Sequence, residues 1–488
     1  MKSRHAGILV MAAYCGLAAP SILADEPAVA VTGPRMSLEQ PVSEFKARRQ
    51  ALIKRVREAE SLGGLTGGRR DGGGKAADSV IVLVGETDVP EDAKYRQSNA
   101  FVYLTGIETP GASLILWPGD DRDVLYLPPR DPTEEQWTGP RVGPGPGAAE
   151  ATGFDRVESS STFLGDLFAA IGDTGRRSFS RRPATVYLLD PTPKPAAGGP
   201  AAHLARVVHQ AAPTARLKDV APWLAEQRKV KSPAEVALVR QAVAITGDAQ
   251  AAAIRLVAPG VPEYRVEGAI LGAFIGGGGQ RAGFASIVGS GPNSTILHYN
   301  ANRRTMRAGD LVVIDIGAEY FYYTADITRT LPVDGKFTPR QREVYRLVLD
   351  CQAAVAADFK PGVTSLLSQN QFAREFLRKS PLRSTEDGVA RSMDHFFTHG
   401  LGHYMGMDVH DVGDTTKPLT PGEVFTIEPG LYLPAEGFGI RIEDDYLVTK
   451  SGLEKLSNAI PSDPDEIERL IAEARSKPSS RTPGVLAR

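Results

Sequence analysis

The sequence of 488 residues predicts a mixed α/β (α+β) protein with two domains. The first half alternates helical and strand-like segments, which predicts a layered sheet with helices over residues 35–222. The second half contains short apolar runs that end in Gly or Pro-Gly, a pattern typical of antiparallel hairpins. A helix with a strong N-terminal signal begins between the halves, and it marks the boundary.

The elements of the first domain follow from their side-chain patterns. An amphipathic segment rich in Arg, Lys and Glu predicts a helix from Ser43 to Glu60. Short runs rich in aliphatic and aromatic residues, several of them bounded by Gly or Pro, predict strands. The predicted strands are Ser79–Gly85, Phe101–Thr105, Ala112–Trp117, Val124–Leu127 and Ala184–Leu189.

The boundary helix carries the signals of a well-formed N-terminus. Ser232 can cap it, Pro233 suits its first position, and Glu235 completes a capping box. The aliphatic spacing then predicts a helix over Ala234–Val257 that ends near Pro-Gly. Two further helices are predicted to back the second sheet, over Pro339–Phe359 and Leu366–Lys379.

Composition limits the range of possible partners. The apolar content of 42% and the two cysteines are those of an ordinary soluble globular protein. The formal net charge of −2 gives no basis for binding nucleic acid or a membrane surface. We therefore expect neither nucleic-acid partners nor integral membrane association.

The N-terminus predicts an export signal. Lys2 and Arg4 precede the apolar run Ala6–Ala19, and small residues around Ala24 and Ala30 offer cleavage sites. We expect residues 1–30 to be removed on export, giving a periplasmic or secreted protein. The alternative is a disordered extension on a cytoplasmic chain.

Two expectations concern the mature chain. If the signal is removed, Cys351 is the only remaining cysteine, so an intramolecular disulfide is impossible. The polar tail over residues 476–488 is predicted to be disordered.

Two apolar runs each end in a carboxylate. Leu311–Gly317 contains Asp315 close to its end, and Val424–Gly430 contains Glu428 in the same place. Burying an unpaired carboxylate is costly, and neither run contains a lysine to neutralise it. The runs therefore predict that a cation from outside the chain binds these groups.

The spacing of further acidic residues supports a two-metal site. Asp326 follows Asp315 across a Gly-containing turn, and Glu443 follows Glu428 across a second hairpin. Two facing hairpins would gather four carboxylates, whose charge of −4 matches two divalent cations. With His403 they form a hard, oxygen-rich set that suits Mn²⁺, Fe²⁺, Co²⁺ or Zn²⁺.

A helical zinc motif is the alternative for the two nearby histidines. His399 and His403 are four residues apart, but Gly400 and Gly402 disfavour a helix. Position 400 also lacks the Glu that the His-Glu-x-x-His motif requires. The zincin interpretation therefore fails.

Seven segments together resemble the metallopeptidases of the pita-bread fold, the group of methionine aminopeptidase, prolidase and aminopeptidase P. Their order and spacing match over residues 228–455, and all five ligand positions are present. The resemblance implies a catalytic domain with a curved antiparallel sheet backed by helices. The segments are His298–Asn300, Asp315–Gly317, Asp326–Thr330, His399–His403, Asp408–Asp411, Glu428–Tyr432 and Gly439–Asp444.

The first domain narrows the resemblance. Tyr95–Gly106 and Leu127–Gly139 resemble the N-terminal domain of aminopeptidase P, which implies hydrolysis of Xaa-Pro bonds at peptide N-termini. Tyr103 and Trp137 in these segments have a plainer interpretation as core aromatics. A homo-oligomer, dimer or tetramer, is also expected.

The resemblance implies roles for individual residues. Asp315 would hold one metal ion and His403 the other, with bridging and proton-accepting roles for the remaining carboxylates. The implied ions are two Mn²⁺, with Co²⁺, Fe²⁺ or Zn²⁺ as alternatives. The other implied roles are Asp326 and Glu443 as bridging ligands, Glu428 as ligand and general base, His298 and His410 as donors to the substrate, Arg441 as an orienting partner, and His399 and Tyr432 in the substrate pocket.

Two other functions remain open. A prolidase restricted to dipeptides would share every ligand. A non-enzymatic binding protein on the same fold is disfavoured, because such proteins lose ligands and none is missing here.

Overall fold

In the computed structural model, which describes residues 38–63, 79–87, 94–172, 184–191 and 198–476, the first domain is built on a six-stranded sheet. The strand order is β4-β3-β2-β1-β5-β6, with β2 antiparallel to both β1 and β3 and the other pairs parallel. The strands are β1 (Ser79–Val84), β2 (Ser113–Trp117), β3 (Arg122–Leu127), β4 (Arg156–Ser159), β5 (Thr185–Leu188) and β6 (Arg216–Asp219).

Helices cover both faces of this sheet. Alternate residues of β1 point to opposite faces, so Ile81 and Leu83 pack with α1 and α2, while Val80 and Val82 pack with α5 and α6. Burial on both faces explains why β1 is apolar from Val80 to Val84. The helices are α1 (Val42–Gly63), α2 (Asn99–Thr105), α3 (Pro132–Thr138), α4 (Ala148–Thr152), α5 (Phe163–Gly172), α6 (Pro200–Ala211) and α7 (Ala221–Lys229).

One predicted strand of the first domain is wrong. Residues Phe101–Thr105 form most of helix α2, which ends at Gly106 with a φ of 68°. Every residue of this run is buried, so its apolar pattern does not distinguish a buried helix from a buried strand. The left-handed Gly106 is a helix C-terminal signal that the sequence already contained.

The two aromatics of the resembling segments have opposite environments. Tyr103 is buried, as the core interpretation predicts, whereas Trp137 on α3 is 86% exposed. The core interpretation is therefore wrong for Trp137.

The second domain consists of antiparallel sheets. They are ordered β12-β9-β8, β11-β10-β7, β15-β18-β19, β16-β17 and β13-β14. The strands are β7 (Arg281–Ala282), β8 (Ile287–Ser290), β9 (Leu311–Ile316), β10 (Ala318–Tyr320), β11 (Tyr323–Thr324), β12 (Ile327–Pro332), β13 (Arg383–Glu386), β14 (Val389–Ser392), β15 (Val424–Ile427), β16 (Gly430–Leu433), β17 (Phe438–Arg441), β18 (Asp444–Val448) and β19 (Leu453–Lys455).

Helices back these sheets and share one apolar core with them, in which Phe274, Ile314 and Val348 are buried. The predicted boundary helix is present, and Ser232 and Glu235 form the predicted capping box. The two other predicted helices are confirmed as α10 and α11. The helices are α8 (Pro233–Leu256), α9 (Glu263–Gly276), α10 (Pro339–Asp358), α11 (Leu366–Lys379) and α12 (Pro464–Ser476).

A buried arginine joins the two hairpins that carry acidic residues. Arg329 on β12 donates to the carbonyl oxygen of Glu443 at 2.8 Å and to Asp444 Oδ1 at 2.7 Å. Burial alone would raise the pKa of Asp444, but Arg329 and Lys455 hold that pKa below its ordinary value. Asp444 therefore stays ionised, and the backbone that leads into Glu443 is fixed.

The predicted signal peptide over residues 1–30 and nearly all of the predicted tail lie outside the described residues. None of the helices in the described segments has the length and apolar content needed to cross a bilayer.

Candidate metal centre

Three of the predicted carboxylate ligands lie around the Nε2 atom of the fourth ligand, His403. His403 Nε2 lies 3.4 Å from Asp326 Oδ2 and 3.4 Å from Glu428 Oε1. It lies 3.9 Å from Glu443 Oε1. Asp326, His403 and Glu443 each offer a ligand atom within 4.8 Å of the other two.

Asp315 reaches this cluster through strand pairing. Asp315 is opposite Thr328 in the antiparallel pair of β9 and β12, and Asp326 comes just before β12. The charge of Asp315 acts on Asp326, and both side chains line the same cavity. The predicted pairing of adjacent antiparallel strands is confirmed. The second hairpin pairs β16 with β17. Glu428 lies two residues before β16 and Glu443 two residues after β17, so both lie at the end of the hairpin opposite its turn.

Two glycines allow the close backbone approach that the cluster needs. A Cβ on Gly317 would lie 1.8 Å from the carbonyl oxygen of Ala325, between the two aspartates. A Cβ on Gly402 would lie 2.0 Å from the carbonyl oxygen of Thr426. Neither position accepts a larger residue without moving the segments that carry the ligands.

The orientation of His403 leaves one nitrogen for a metal ion. Its Nδ1 is 3.1 Å from the carbonyl oxygen of Tyr404, so Nδ1 carries the proton and donates it. Nε2 therefore presents its lone pair to the carboxylates. Metal-binding histidines commonly have this arrangement.

The carboxylates are buried and crowd one another. Burial, followed by the charges of Glu443 and Asp315, raises the pKa of Asp326 well above its ordinary value. Burial and the charge of Glu443 do the same for Glu428. Burial and the charge of Asp315 raise the pKa of Glu443 to about 7. The charge of Arg441 lowers the pKa of Glu428 and of Glu443, but it does not offset burial and the neighbouring carboxylates.

Several buried carboxylate oxygens also lack a hydrogen-bond partner among the described residues. Three of them, Asp315 Oδ1, Asp326 Oδ1 and Glu443 Oε1, belong to predicted ligands, and the others are on Asp411, Glu423 and Asp445. Buried polar atoms are almost always satisfied. Hard oxygen donors with one imidazole fit divalent cations such as Mn²⁺, and binding such ions would satisfy the three ligand atoms.

Arg441 contacts the cluster from behind. Its Nη2 donates to Asp315 Oδ2 at 2.6 Å, and its Nε donates to Thr328 Oγ1 at 3.2 Å. Thr328 in turn donates to Glu443 Oε2 at 2.6 Å. The sequence predicted the contact of Arg441 with a carboxylate ligand. It did not predict the role of Thr328 in linking Arg441 to Glu443.

His399 and Tyr432 form a pair beside the cluster. His399 Nδ1 donates to the carbonyl oxygen of Gly400 at 2.7 Å, so its Nε2 accepts from the Tyr432 hydroxyl at 2.8 Å. Burial, followed by the charge of Arg441, lowers the pKa of His399 to about 4. His399 is therefore neutral at physiological pH. Tyr432 is buried behind it.

A cavity of about 460 Å³ opens in front of the cluster. All five predicted ligands line it, together with His298, His399, His410 and Arg441. The His410 ring centroid is 4.2 Å from that of His403 and 6.5 Å from that of His298. Sequence reasoning did not find the remaining wall, which is mostly apolar and includes Phe284, Ala285, Ile287, Leu297, Asn300 and Val409.

Another residue that sequence reasoning missed is Asp445. It is fully buried, and its Oδ2 accepts from the backbone N–H of Asp326 at 3.2 Å. This bond fixes the backbone of a predicted ligand. Asp445 comes just after the Glu443-Asp444 pair of a matching segment, but spacing alone does not indicate which acidic residue supports another.

Comparison with known proteins agrees with this geometry. Residues 237–450 match the model of metallopeptidase family M24, and residues 45–176 match the aminopeptidase P N-terminal domain. The Xaa-Pro aminopeptidase of Escherichia coli K12 is 36% identical over 459 residues, which are 89% of this chain and 98% of that protein. The chain belongs to metallopeptidase family M24.

Other members of the family are similar over comparable lengths. Human Xaa-Pro aminopeptidase 3 is 30% identical over 428 residues, 81% of each chain. A variant of E. coli aminopeptidase P in complex with substrate has a TM-score of 0.74 at 33% identity, covering 90% of this M24 chain and all of that one. Proline aminopeptidase P II from Yersinia pestis has a TM-score of 0.73. The predicted two-domain pita-bread architecture is confirmed.

The first prediction concerns the glycine between the two aspartates. Gly317→Ala should lower the affinity for Mn²⁺ by about tenfold or more, because the backbone at Ala325 must move and the two aspartates are displaced from each other. Titration calorimetry on metal-stripped protein measures this change.

The matched control is Gly272→Ala on α9, where a Cβ has open space. We expect this variant to bind Mn²⁺ as the unchanged protein does. An unchanged affinity in Gly317→Ala would show that close approach at this glycine does not set the geometry of the cluster.

Proposed function

We propose that this M24 chain is a dinuclear metal-dependent aminopeptidase that releases the N-terminal residue from peptides with proline in second position. The observation that carries the proposal is the convergence of all five predicted ligands at one wall of a peptide-sized cavity. Several of the relatives are named Xaa-Pro aminopeptidases, and one similar structure holds a substrate. The match to the aminopeptidase P N-terminal domain favours this activity over that of a prolidase.

The proposed metal roles follow the resemblance and the donor set. Asp315 would hold one cation, and His403 with Glu428 would hold the other. Asp326 and Glu443 would contact both. Divalent cations bound there would make water a nucleophile near neutral pH and would polarise the scissile carbonyl. We propose Mn²⁺ as the native ion, with Co²⁺, Fe²⁺ or Zn²⁺ as alternatives.

Glu428 is proposed to take the proton from the attacking water. Its Oε1 accepts from Thr426 Oγ1 at 3.2 Å, and its Oε2 lies 3.7 Å from His399 Nδ1. The hydrogen bond from Thr426 holds the carboxylate at the cavity wall, and His399 lies beside it. A carboxylate held in position suits a proton acceptor that later returns the proton to the leaving nitrogen.

His298 and His410 are proposed to donate hydrogen bonds to the substrate carbonyl as negative charge develops on its oxygen. Both line the cavity within reach of the cluster. Burial, followed by the charges of His403 and His298, lowers the pKa of His410. A neutral imidazole still carries one N–H, so it can act as a donor at physiological pH.

Specificity for proline is proposed to come from a dedicated pocket. Proline lacks a backbone N–H and has a fixed φ, so peptidases that bind that N–H cannot use their usual contact. The apolar side chains of Leu297 and Val409 line the cavity, and each comes just before one of the two histidines in the sequence. They would accept a pyrrolidine ring, while His399 with Tyr432 would line the adjacent part of the pocket.

We also propose export of the chain and assembly into a dimer or tetramer. N-terminal sequencing of protein from cell fractions tests the first, and light scattering tests the second.

The second prediction tests the activity itself. Metal-stripped protein with added Mn²⁺, Co²⁺ or Zn²⁺ should cleave Xaa-Pro-Yaa-Zaa peptides and should release only the first residue. Matched peptides with alanine in place of proline should be cleaved at least about tenfold more slowly. Cleavage confined to Xaa-Pro dipeptides would assign a prolidase, and no cleavage with any metal would contradict the proposal.

The third prediction separates the non-ligand histidines from the ligands. His298→Ala and His410→Ala should each keep their metal content and thermal stability but lose about 10² to 10³ in kcat, since each removes a donor to the developing oxyanion. Steady-state kinetics, metal analysis and thermal melting give the three quantities. If both variants keep more than about a tenth of the starting rate, the donor role is wrong.

A further inference from the structure

A short segment of the first domain lies against two loops, one that links two predicted ligands and one that contains a predicted site residue. It comprises Tyr95–Asn99, called here the clamp segment. One loop is the hairpin 317–325, which joins Asp315 to Asp326. The other is the loop 404–411, which contains His410. By their contacts the described residues belong to a single compact unit, so these interdomain contacts are part of one body.

The first arm of the clamp is an ion pair with the hairpin. Arg96 Nε lies 3.1 and 3.2 Å from the two carboxylate oxygens of Glu319, and Arg96 Nη2 lies 3.0 Å from one of them. Glu319 is only 3% exposed, and it also pairs with Arg281 at 2.8 Å. A two-point arginine–carboxylate contact of this kind fixes direction as well as distance.

The tip of the same hairpin is a strained turn. Phe321 and Tyr322 have positive φ values of 44° and 71°, which non-glycine residues rarely adopt. Arg96 lies over the Tyr322 ring at 4.6 Å, and the backbone N–H of Gln97 donates to the Tyr322 hydroxyl oxygen at 3.1 Å. Strained turns persist only where surrounding contacts hold them. The clamp segment supplies such contacts.

The second arm reaches the loop of His410. Asn99 Nδ2 donates to Asp408 Oδ1 at 2.7 Å and to the carbonyl oxygen of Met407 at 3.1 Å. Arg228, near the C-terminal end of α7, donates to Asp408 Oδ2 at 2.8 Å and to Asp411 Oδ1 at 2.6 Å. Both acidic residues that flank the Val409-His410 pair are therefore anchored from outside the loop.

The two loops are also joined to each other. The backbone N–H of Thr324 donates to the carbonyl oxygen of Gly406 at 2.8 Å. A Cβ on Gly406 would lie 2.2 Å from Asp411 Oδ2, so a larger residue there would displace the Asp411 side chain from its pairing with Arg228. The hairpin, the loop and the clamp segment therefore form one packed assembly at the rim of the site.

We propose that the clamp segment positions the active site through two separable arms. Arg96 sets the hairpin that spaces Asp315 and Asp326, and so acts on metal binding. Asn99 sets the loop of His410, and so acts on turnover. This inference rests on the proposed roles of Asp315, Asp326 and His410. The first domain then helps to position the site residues of the second domain.

The fourth prediction tests both arms with matched variants. Asn99→Ala should lower kcat about tenfold with unchanged metal affinity, because a displacement near 1 Å of a group at the reacting centre costs up to about 10² in rate. Arg96→Ala should weaken Mn²⁺ binding about tenfold, while Arg96→Lys should recover part of that loss. Lys94→Ala removes an exposed charge from just before the segment and should change neither quantity.

Combining each variant with His410→Ala gives a readout that a general loss of stability would not produce. If Asn99 acts through His410, Asn99→Ala should have no further effect on kcat in the His410→Ala background. Arg96→Ala should keep its full effect on Mn²⁺ affinity in that background. Thermal melting of each variant excludes loss of folding as the cause. Asn99→Asp is a second variant of the same arm, because it places a carboxylate against that of Asp408.

The outcomes separate this proposal from the proposed function. Unchanged kcat and metal affinity in active Asn99→Ala and Arg96→Ala proteins would overturn the clamp. Additive effects of Asn99→Ala and His410→Ala would overturn the coupling to His410. If the unchanged protein cleaves no Xaa-Pro peptide, the function fails, and the Mn²⁺ affinity of Arg96→Ala still decides the metal-binding arm.

Discussion

A crowded group of four carboxylates and one imidazole forms the constraint on which the rest of the structure depends. Asp315, Asp326, Glu428 and Glu443 approach one another because the strands that carry them are paired and packed. Without cations, their mutual repulsion and loss of hydration oppose folding at this place. The surrounding structure holds them together regardless, and the pKa values of Asp326, Glu428 and Glu443 are displaced upward. Binding cations would relieve the repulsion among these carboxylates, so metal binding and the stability of this part of the fold are coupled.

The scaffold around the cluster is built to prevent relaxation. Gly317 and Gly402 let backbones approach to distances that any side chain would block. Arg441 holds Asp315, and Arg329 fixes the backbone of Glu443. Arg441 and Arg329 lie on strands rather than on surface loops, which gives the site little freedom to open. The rim is different, since the loop of His410 and the hairpin tip depend on contacts from the first domain.

The sequence predicted the centre of the site better than its rim. The ligands of the centre lie within a few residues of apolar strands with clear turn signals, so local pattern and spacing placed Asp315, Asp326, Glu428 and Glu443 in facing hairpins. The apolar wall around Leu297 comes from segments that show no regular spacing of apolar residues. Its position follows only from tertiary packing.

The same distinction explains the errors in the first domain. The run Phe101–Thr105 is apolar throughout, and full burial removes the periodicity that separates helix from strand. Asn99 and Arg228 are polar residues in ordinary segments, and their partners are 309 and 180 residues away along the chain. Nothing local distinguishes them from solvated side chains.

The most direct test of the two-cation account is anomalous diffraction from crystals grown with Mn²⁺, recorded on both sides of the manganese absorption edge. The account predicts two peaks at the edge within the pocket, one beside Asp315 and one beside His403, with Asp326 and Glu443 next to both. A single peak beside His403, or none in the pocket, would contradict it.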